Sequence, residues 1–251
     1  MEFLEAGEVS ENTDKYFWRT AEIAGAGINP RTRYSVFMRT KTMAALLPAI
    51  QFLRNQSDPN MKIWAREEGT IVDETTPLLV YEGSLYEVAE LETQLLQHVG
   101  WTCTCAYNAQ LSTSIPEAKE RNVRFLDFSA RHVLPGGLPT QLTSYGARIG
   151  GFQGCSTDIA ANIWGAEGLG TIPHVLVGAC GSTLAAAKAF KSRFPDVKLV
   201  ILPDYFGKEI TDTLEVAREL GEDLWGVRLD THGGRYAESV IQNNGQGDWE
   251  A

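Results

Sequence analysis

The chain has 251 residues, 43% of them hydrophobic, enough apolar material for one large core or two modest ones. Its formal net charge of −10 argues against general nucleic-acid binding, which needs a basic footprint, but leaves room for a compact cationic pocket. No apolar run approaches the roughly 20 residues that span a bilayer, and the acidic start MEFLEAGEVSENTDKYF lacks the basic-then-apolar order of a signal peptide, so the sequence points to the cytoplasm with no membrane partner.

In chain order, Tyr34–Met38 is rich in strand formers. The segment Thr42–Arg54 has the composition of a helix that Pro48 would kink or divide. MKIWAREEGTIVDETTPLLVYEG then reads as strand, turn, strand, turn, with Glu68-Gly69 and Glu82-Gly83 as the turns. A helix follows from about Leu85, where Leu91, Leu95 and Leu96 keep helical spacing. This block predicts an α+β domain over residues 1–115.

From Val123 the pattern changes. Candidate strands are Val123–Phe128, Gly150–Cys155, Ile172–Val177, Lys198–Pro203 and Leu224–Leu229. Helical segments Ser156–Trp164, Ser182–Phe194 and Lys208–Leu220 lie between them, with Ser156 and Ser182 placed as N-caps. The alternation predicts parallel strands joined by helices over residues 116–251, an α/β arrangement. The polar tail NNGQGDWEA reads as a loop or frayed end. Cys103, Cys105, Cys155 and Cys180 are too few and too unevenly spaced for a disulfide framework; the Cys103-x-Cys105 pair has no second Cys/His pair at metal-finger distance. These thiols are expected to be reduced and partly buried.

Four polar positions end apolar runs: Arg131 in FLDFSARH, His174 in GTIPHVLV, Asp204 in KLVILPDYF, and Arg228 with Asp230 in LWGVRLDT. Folds of this class place their chemistry at the C-terminal ends of strands. Such a series suits an anionic, phosphorylated substrate with a metal ion. Each residue has a plainer reading. Arg131 would be a surface cation, and a lone histidine in an apolar run such as that of His174 is more often a hydrogen-bonded core residue than a catalyst. Asp204 would be a helix cap, and Arg228 with Asp230 would be a mutual ion pair. The glycine-rich junction Gly150–Thr157 suits an anion at a helix N-terminus, but tight packing explains glycines equally well. It has neither the P-loop nor the dinucleotide-site spacing.

Taken in order, Thr13-Asp14-Lys15-Tyr16-Phe17, Phe37-Met38-Arg39, Glu68-Gly69-Thr70, Glu82-Gly83, Leu91-Glu92-Thr93, Phe128-Ser129-Ala130-Arg131, Gly150 to Ser156, Gly170-Thr171 with Pro173-His174, Asp204 and Val227-Arg228-Leu229-Asp230 resemble the nicotinate phosphoribosyltransferase family. The likeness is strongest to its shorter archaeal-type members and extends to nicotinamide and quinolinate phosphoribosyltransferases. It implies an α+β N-terminal domain packed on an irregular α/β barrel. It also implies transfer of ribose 5-phosphate from phosphoribosyl pyrophosphate to nicotinate in NAD biosynthesis, with Mg2+ and with ATP as a co-substrate in some members. A homodimer or higher homo-oligomer with shared active sites is implied as well.

By the same resemblance His174, Asp204 and Asp230 would be catalytic, with His174 matching the phospho-acceptor of ATP-coupled members. Arg131, Ser156, Thr171 and Arg228 would bind substrate, and Tyr16 and Arg39 would reach the partner subunit's site. Departures from the family pattern include Ser129 for a glycine and Tyr205 for a threonine. Family barrels continue beyond the Arg-x-Asp strand into turns that bind the 5′-phosphate, whereas this sequence stops at Ala251. The expectations are therefore a nicotinate enzyme with an incomplete barrel, a quinolinate enzyme, or a non-catalytic or truncated homologue.

Overall fold

The computed structural model describes residues 3, 8–56 and 59–238; the tail NNGQGDWEA lies outside them. The chain forms two compact units, one ending at Leu169 and the other beginning at Gly170.

The first unit opens with α1 (Val9–Asn12) and α2 (Lys15–Gly25). Next come β1 (Arg31–Phe37), β2 (Thr42–Met43), α3 (Leu47–Gln56), β3 (Lys62–Ala65), β4 (Ile71–Val72) and β5 (Pro77–Ser84). The central sheet is antiparallel in the order β1-β5-β3, and β2 pairs with β4 apart from it. Cross-strand chemistry fixes its register. Tyr34 opposes Tyr81 with the rings stacked at 5.1 Å, and Glu82 accepts from the Nε atoms of Arg31 and Arg33, both at 2.8 Å.

Two local expectations are corrected here. Pro48 is the second residue of α3, where its missing N–H has no intrahelical partner to lose, so the helix starts at the proline instead of kinking there. Glu82-Gly83 is strand, not turn. A Cβ at Gly83 would come within 2.9 Å of Val88 Cγ1, so the glycine lets β5 lie close under α4 (Leu85–Val88), which a Ser84–Glu87 capping box starts. The Glu68-Gly69 turn is present, with Gly69 at φ +81°.

The long α5 (Glu92–Thr113) buries Leu95, Val99, Cys103 and Ala106 along one stripe. Beyond α6 (Pro116–Glu120), β6 (Leu126–Asp127) runs parallel to β7 (Gly154–Cys155), with α7 (Gly137–Ile149) between them and α8 (Asp158–Ala161) after. Helix α7 was not expected from the sequence. It packs so closely on α5 that a Cβ at Gly146 or Gly150 would run into the carbonyl of Thr102 or Ala106. The α5–α7 contact carries this unit past residue 115 to Leu169, while the sequence predicts a domain boundary at 115/116.

The second unit holds α9 (His174–Cys180), α10 (Thr183–Arg193), β8 (Leu199–Ile201), α11 (Glu209–Leu220) and β9 (Leu224–Val227), with β8 and β9 parallel. Ile172, Val177, Ala186, Leu199, Ile201 and Val216 form its core. Ser182 caps α10, its Oγ accepting from the Ala185 amide at 3.1 Å. The other expected cap, Ser156, is displaced: Thr157 takes the N-cap position of α8 without a side-chain bond.

The strand expected over Ile172–Val177 is a helix. Only the Ile172 amide joins the strand direction, donating to Val200 O at 3.0 Å, before Pro173 turns the chain into α9. Val175 is 76% exposed and Val177 fully buried, so these two do not share a face as strand residues would. A short apolar run cannot by itself separate a strand from a buried helix. The expected strands Val123–Phe128 and Gly150–Cys155 also shrink to two residues each, since Gly150 is the C-cap of α7. The α/β class read from the sequence is nonetheless borne out.

Candidate functional site

The second unit gathers most of the expected residues. β8 ends at Ile201, and the 3-10 turn Pro203–Phe206 follows directly, carrying Asp204 into the interior with only 3% exposure. Its Oδ2 lies 3.0 Å from Nε2 of His174, the first residue of α9. The other oxygen, Oδ1, is buried without a hydrogen-bond partner. A buried carboxylate oxygen left unpaired is costly unless something binds it, so Oδ1 suits a hydroxyl donor or a cation.

At the end of β9, Arg228 pairs with Asp230 at 3.0 Å and approaches the hydroxyl of Thr171 at 3.5 Å. The plain reading of Arg228 and Asp230 as an ion pair therefore holds in this structure, and Thr171 is drawn to the same place. Asp204 caps no helix, because Lys208 holds the N-cap position of α11.

His174, Asp204, Tyr205, Asp230, His232, Gly234 and Arg235 line one open cleft of about 450 Å³. Tyr205 lies 6.0 Å from the His174 ring, and its hydroxyl sits where a Cβ at Gly178 would be, 2.6 Å away. Arg235 was missed in the sequence. Its Nη2 donates to the Asp204 carbonyl and lies 3.6 Å from both Asp204 Oδ2 and Glu209 Oε1. The signal available for it was a Gly-Gly loop with a cation, Thr231 to Tyr236, directly after the Arg-x-Asp strand.

Tyr16, Arg39, Arg131 and Ser156 belong to the first unit. Tyr16 is 60% exposed on α2, Arg39 is exposed just past β1, and Arg131 is exposed in the 3-10 turn Ser129–His132 after β6. Ser156 follows β7, its amide bonded to Asp127 O at 3.0 Å. Two resembling motifs meet in this unit: Thr93 Oγ1 donates to Asp14 Oδ2 and accepts from the Asp14 amide, both at 3.0 Å. Packing accounts for the glycines at 150 and 154; a Cβ at the latter would come within 2.7 Å of Leu169 Cδ1. Cys103 is buried against Ala45, and burial pushes its thiol up to about 11. Among the described residues no three His, Cys, Asp or Glu side chains cluster as a metal site, and no helix is long and apolar enough to cross a membrane.

The parallel pairs β6-β7 and β8-β9 among helices make an α/β fold, and structural likeness places it with the phosphoribosyltransferases. The chain matches nicotinate-nucleotide pyrophosphorylase from Pyrococcus furiosus at TM-score 0.79 and 27% identity, over 94% of this chain and 61% of that one. Human nicotinic acid phosphoribosyltransferase matches at TM-score 0.68 and 21% identity, over 88% and 61%. The Ehrlichia chaffeensis nicotinate-nucleotide pyrophosphorylase matches at TM-score 0.59 and 14% identity, over 87% and 81%. The last two speak for the fold alone.

In sequence, the chain is 29% identical over 173 residues to nicotinate phosphoribosyltransferase pncB2 of two Mycobacterium tuberculosis strains, covering 67% of this chain and 36% of those proteins. It spans about a third of the length of these curated relatives. No protein-family model matches it. The resemblance read from the sequence is borne out: the chain is related to the nicotinate phosphoribosyltransferases and shares their fold.

Proposed function

We propose that this protein transfers ribose 5-phosphate from phosphoribosyl pyrophosphate to nicotinate, giving nicotinate mononucleotide and pyrophosphate in NAD biosynthesis. The observation that carries this reading is the His174–Asp204 pair, set in one cleft with Asp230. In the reaction the bond from ribose C1 to the pyrophosphate oxygen breaks, its electron pair leaving with pyrophosphate. The pyridine nitrogen forms the new bond to C1. Positive charge grows on the ribose and negative charge on the leaving group, so carboxylates beside the sugar and arginines beside the diphosphate bind the transition state more tightly than the substrate.

Asp204 and Asp230 are the carboxylates of this reading, and Arg228, with Thr171 beside it, takes phosphate oxygens. Arg131, for the base carboxylate or ring, and Ser156 are further substrate-binding residues of this reading. Tyr16 and Arg39 serve the partner's site in a homodimer, a role supported by their exposure on the first unit. Mg2+ fits the donor set, because Asp204 Oδ1 is an unpartnered buried oxygen and Asp230 lines the same cleft. Mg2+ usually keeps waters and uses one or two carboxylates plus substrate phosphates, so no three-ligand cluster is required. It would neutralise charge on the diphosphate. ATP acts as co-substrate through His174, and a cytoplasmic setting accords with four free cysteines.

Mass spectrometry of reactions with nicotinate, phosphoribosyl pyrophosphate and Mg2+ tests the proposal through the mononucleotide product. Turnover of quinolinate with release of CO2 instead would favour the second reading, which rests on the likeness to the Pyrococcus furiosus nicotinate-nucleotide pyrophosphorylase. No product with either base would leave a non-catalytic homologue.

A further inference from the structure

We propose that Glu209 is a positioning residue that holds the segment 231–238 in place and thereby aims Arg235 at the diphosphate of the bound substrate. The inference rests on the phosphoribosyl pyrophosphate reading for the identity of the anion, but its structural half stands apart from it.

Glu209 is the first residue of α11 and only 6% exposed. Its carboxylate gathers donors from both ends and the middle of one loop. Oε1 accepts from Thr231 Oγ1 at 2.9 Å, Oε2 accepts from the Glu238 amide at 3.0 Å, and Arg235 Nη2 stands 3.6 Å from Oε1. Glu238 closes the loop back onto the same helix, accepting from the amides of Ile210 and Thr211 at 2.8 Å each. The loop has little regular structure of its own and contains Gly233-Gly234, so its conformation depends on these bonds. Hydrogen bonds to a buried carboxylate are among the stronger ones available to do this.

The position of Arg235 is the functional consequence. While donating to the Asp204 carbonyl, its Nη2 lies 3.6 Å from both Asp204 Oδ2 and Glu209 Oε1. With a second acid pulling on it, the guanidinium does not close onto the Asp204 carboxylate, whose Oδ2 stays paired with His174. Among the described residues only Nη2 of Arg235 is engaged, and the side chain remains 41% exposed in the cleft. Nε and Nη1 are thus left to grip an anion, with His232 on the same wall. A purely structural Glu209 would steady the loop without altering what the cleft binds.

The test uses the full chain with inorganic pyrophosphate and Mg2+ in calorimetry, beside hydrogen exchange of residues 231–238. Glu209→Gln keeps the shape but presents an amide N–H₂ where an N–H or O–H donor now points, and removes the charge facing Arg235. The expected result is a loss of pyrophosphate affinity of about tenfold or more, faster exchange across the loop, and partial recovery in Glu209→Asp. Unchanged pyrophosphate affinity in Glu209→Gln overturns the proposal. If Glu209→Gln does not fold, Arg235→Gln decides: it must lose pyrophosphate affinity to a similar degree, and wild-type affinity overturns the proposal. A wild-type protein that binds no pyrophosphate overturns the diphosphate half along with the functional reading. Loop exchange in Glu209→Gln still reports separately whether Glu209 holds the segment.

Discussion

His174 Nε2 lies 3.0 Å from Oδ2 of Asp204, joining a half-exposed imidazole to an almost wholly buried carboxylate. A carboxylate accepts, so in the neutral imidazole Nε2 carries the proton and Nδ1 is left with the lone pair. That assigns Nδ1 as the nitrogen open to electrophiles. If His174 takes the γ-phosphoryl group of ATP, the P–N bond forms at Nδ1 and ADP leaves. His174→Ala should then abolish ATP stimulation while keeping some ATP-independent transfer, with melting temperature little changed because the ring is 38% exposed. A large fall in melting temperature with ATP coupling intact in the surviving protein would make His174 a structural residue instead.

Tyr205 and Gly178 are matched. Gly178→Ala would place a Cβ 2.6 Å from the tyrosine hydroxyl and should cost about 1–3 kcal/mol by overpacking, displacing the ring from the cleft wall. In a Tyr205→Thr background the same alanine should be harmless or stabilising by up to about 1 kcal/mol, since alanine is the better helix former. Denaturant melts of the four-member cycle check this; additive effects would mean that the two residues do not compete for space.

The pH dependence of the first unit should carry the mark of His98. This histidine is 4% exposed, stacks on Phe52 at 4.9 Å, and burial pushes its pKa below the ordinary value. The unfolded chain therefore takes up a proton near pH 6.5 that the folded chain refuses. Stability from this residue is fully present above about pH 6.5 and declines as pH falls toward the lower folded pKa. The slope is at most about 1.4 kcal/mol per pH unit. His98→Phe should flatten the wild-type decline between pH 7 and 5 in chemical denaturation; an identical slope in the variant would contradict the assignment.

Gly150→Ala should destabilise the first unit by about 2 kcal/mol or more, because the new Cβ would meet the Ala106 carbonyl and lie 2.6 Å from Ala109 Cβ. Thermal unfolding measures it. Wild-type stability would show that α5 and α7 can part without cost, returning Gly150 to consideration as part of an anion-binding loop.

The sequence revealed the polar ends of β8 and β9, because an apolar run followed by a charged residue survives in one dimension as a strand and its end. Asp204, Arg228 and Asp230 were found that way. His174 is legible as a polar residue in an apolar run, but its element is not, since Pro173 turns that run into a helix start that periodicity over so few positions does not reveal. Helix α7 shows no clear apolar period in the sequence, because Leu142 and Tyr145 share its buried positions with Thr140, Thr143, Ser144 and Gly146, small and polar residues that read as loop. Arg235 and Glu209 were hidden for another reason: their significance lies in contacts between a loop and a helix start 22 to 29 residues apart, which no local pattern encodes.

The most direct measurement of the central claim is the steady-state rate of nicotinate mononucleotide formation by the wild-type protein and by Asp204→Asn, each with its melting temperature. The substitution keeps the volume of the side chain and a hydrogen bond to His174 while removing the buried charge. The account predicts a fall in kcat/KM of about 100-fold or more with the fold retained. A folded Asp204→Asn protein that forms the product at the wild-type rate would contradict it.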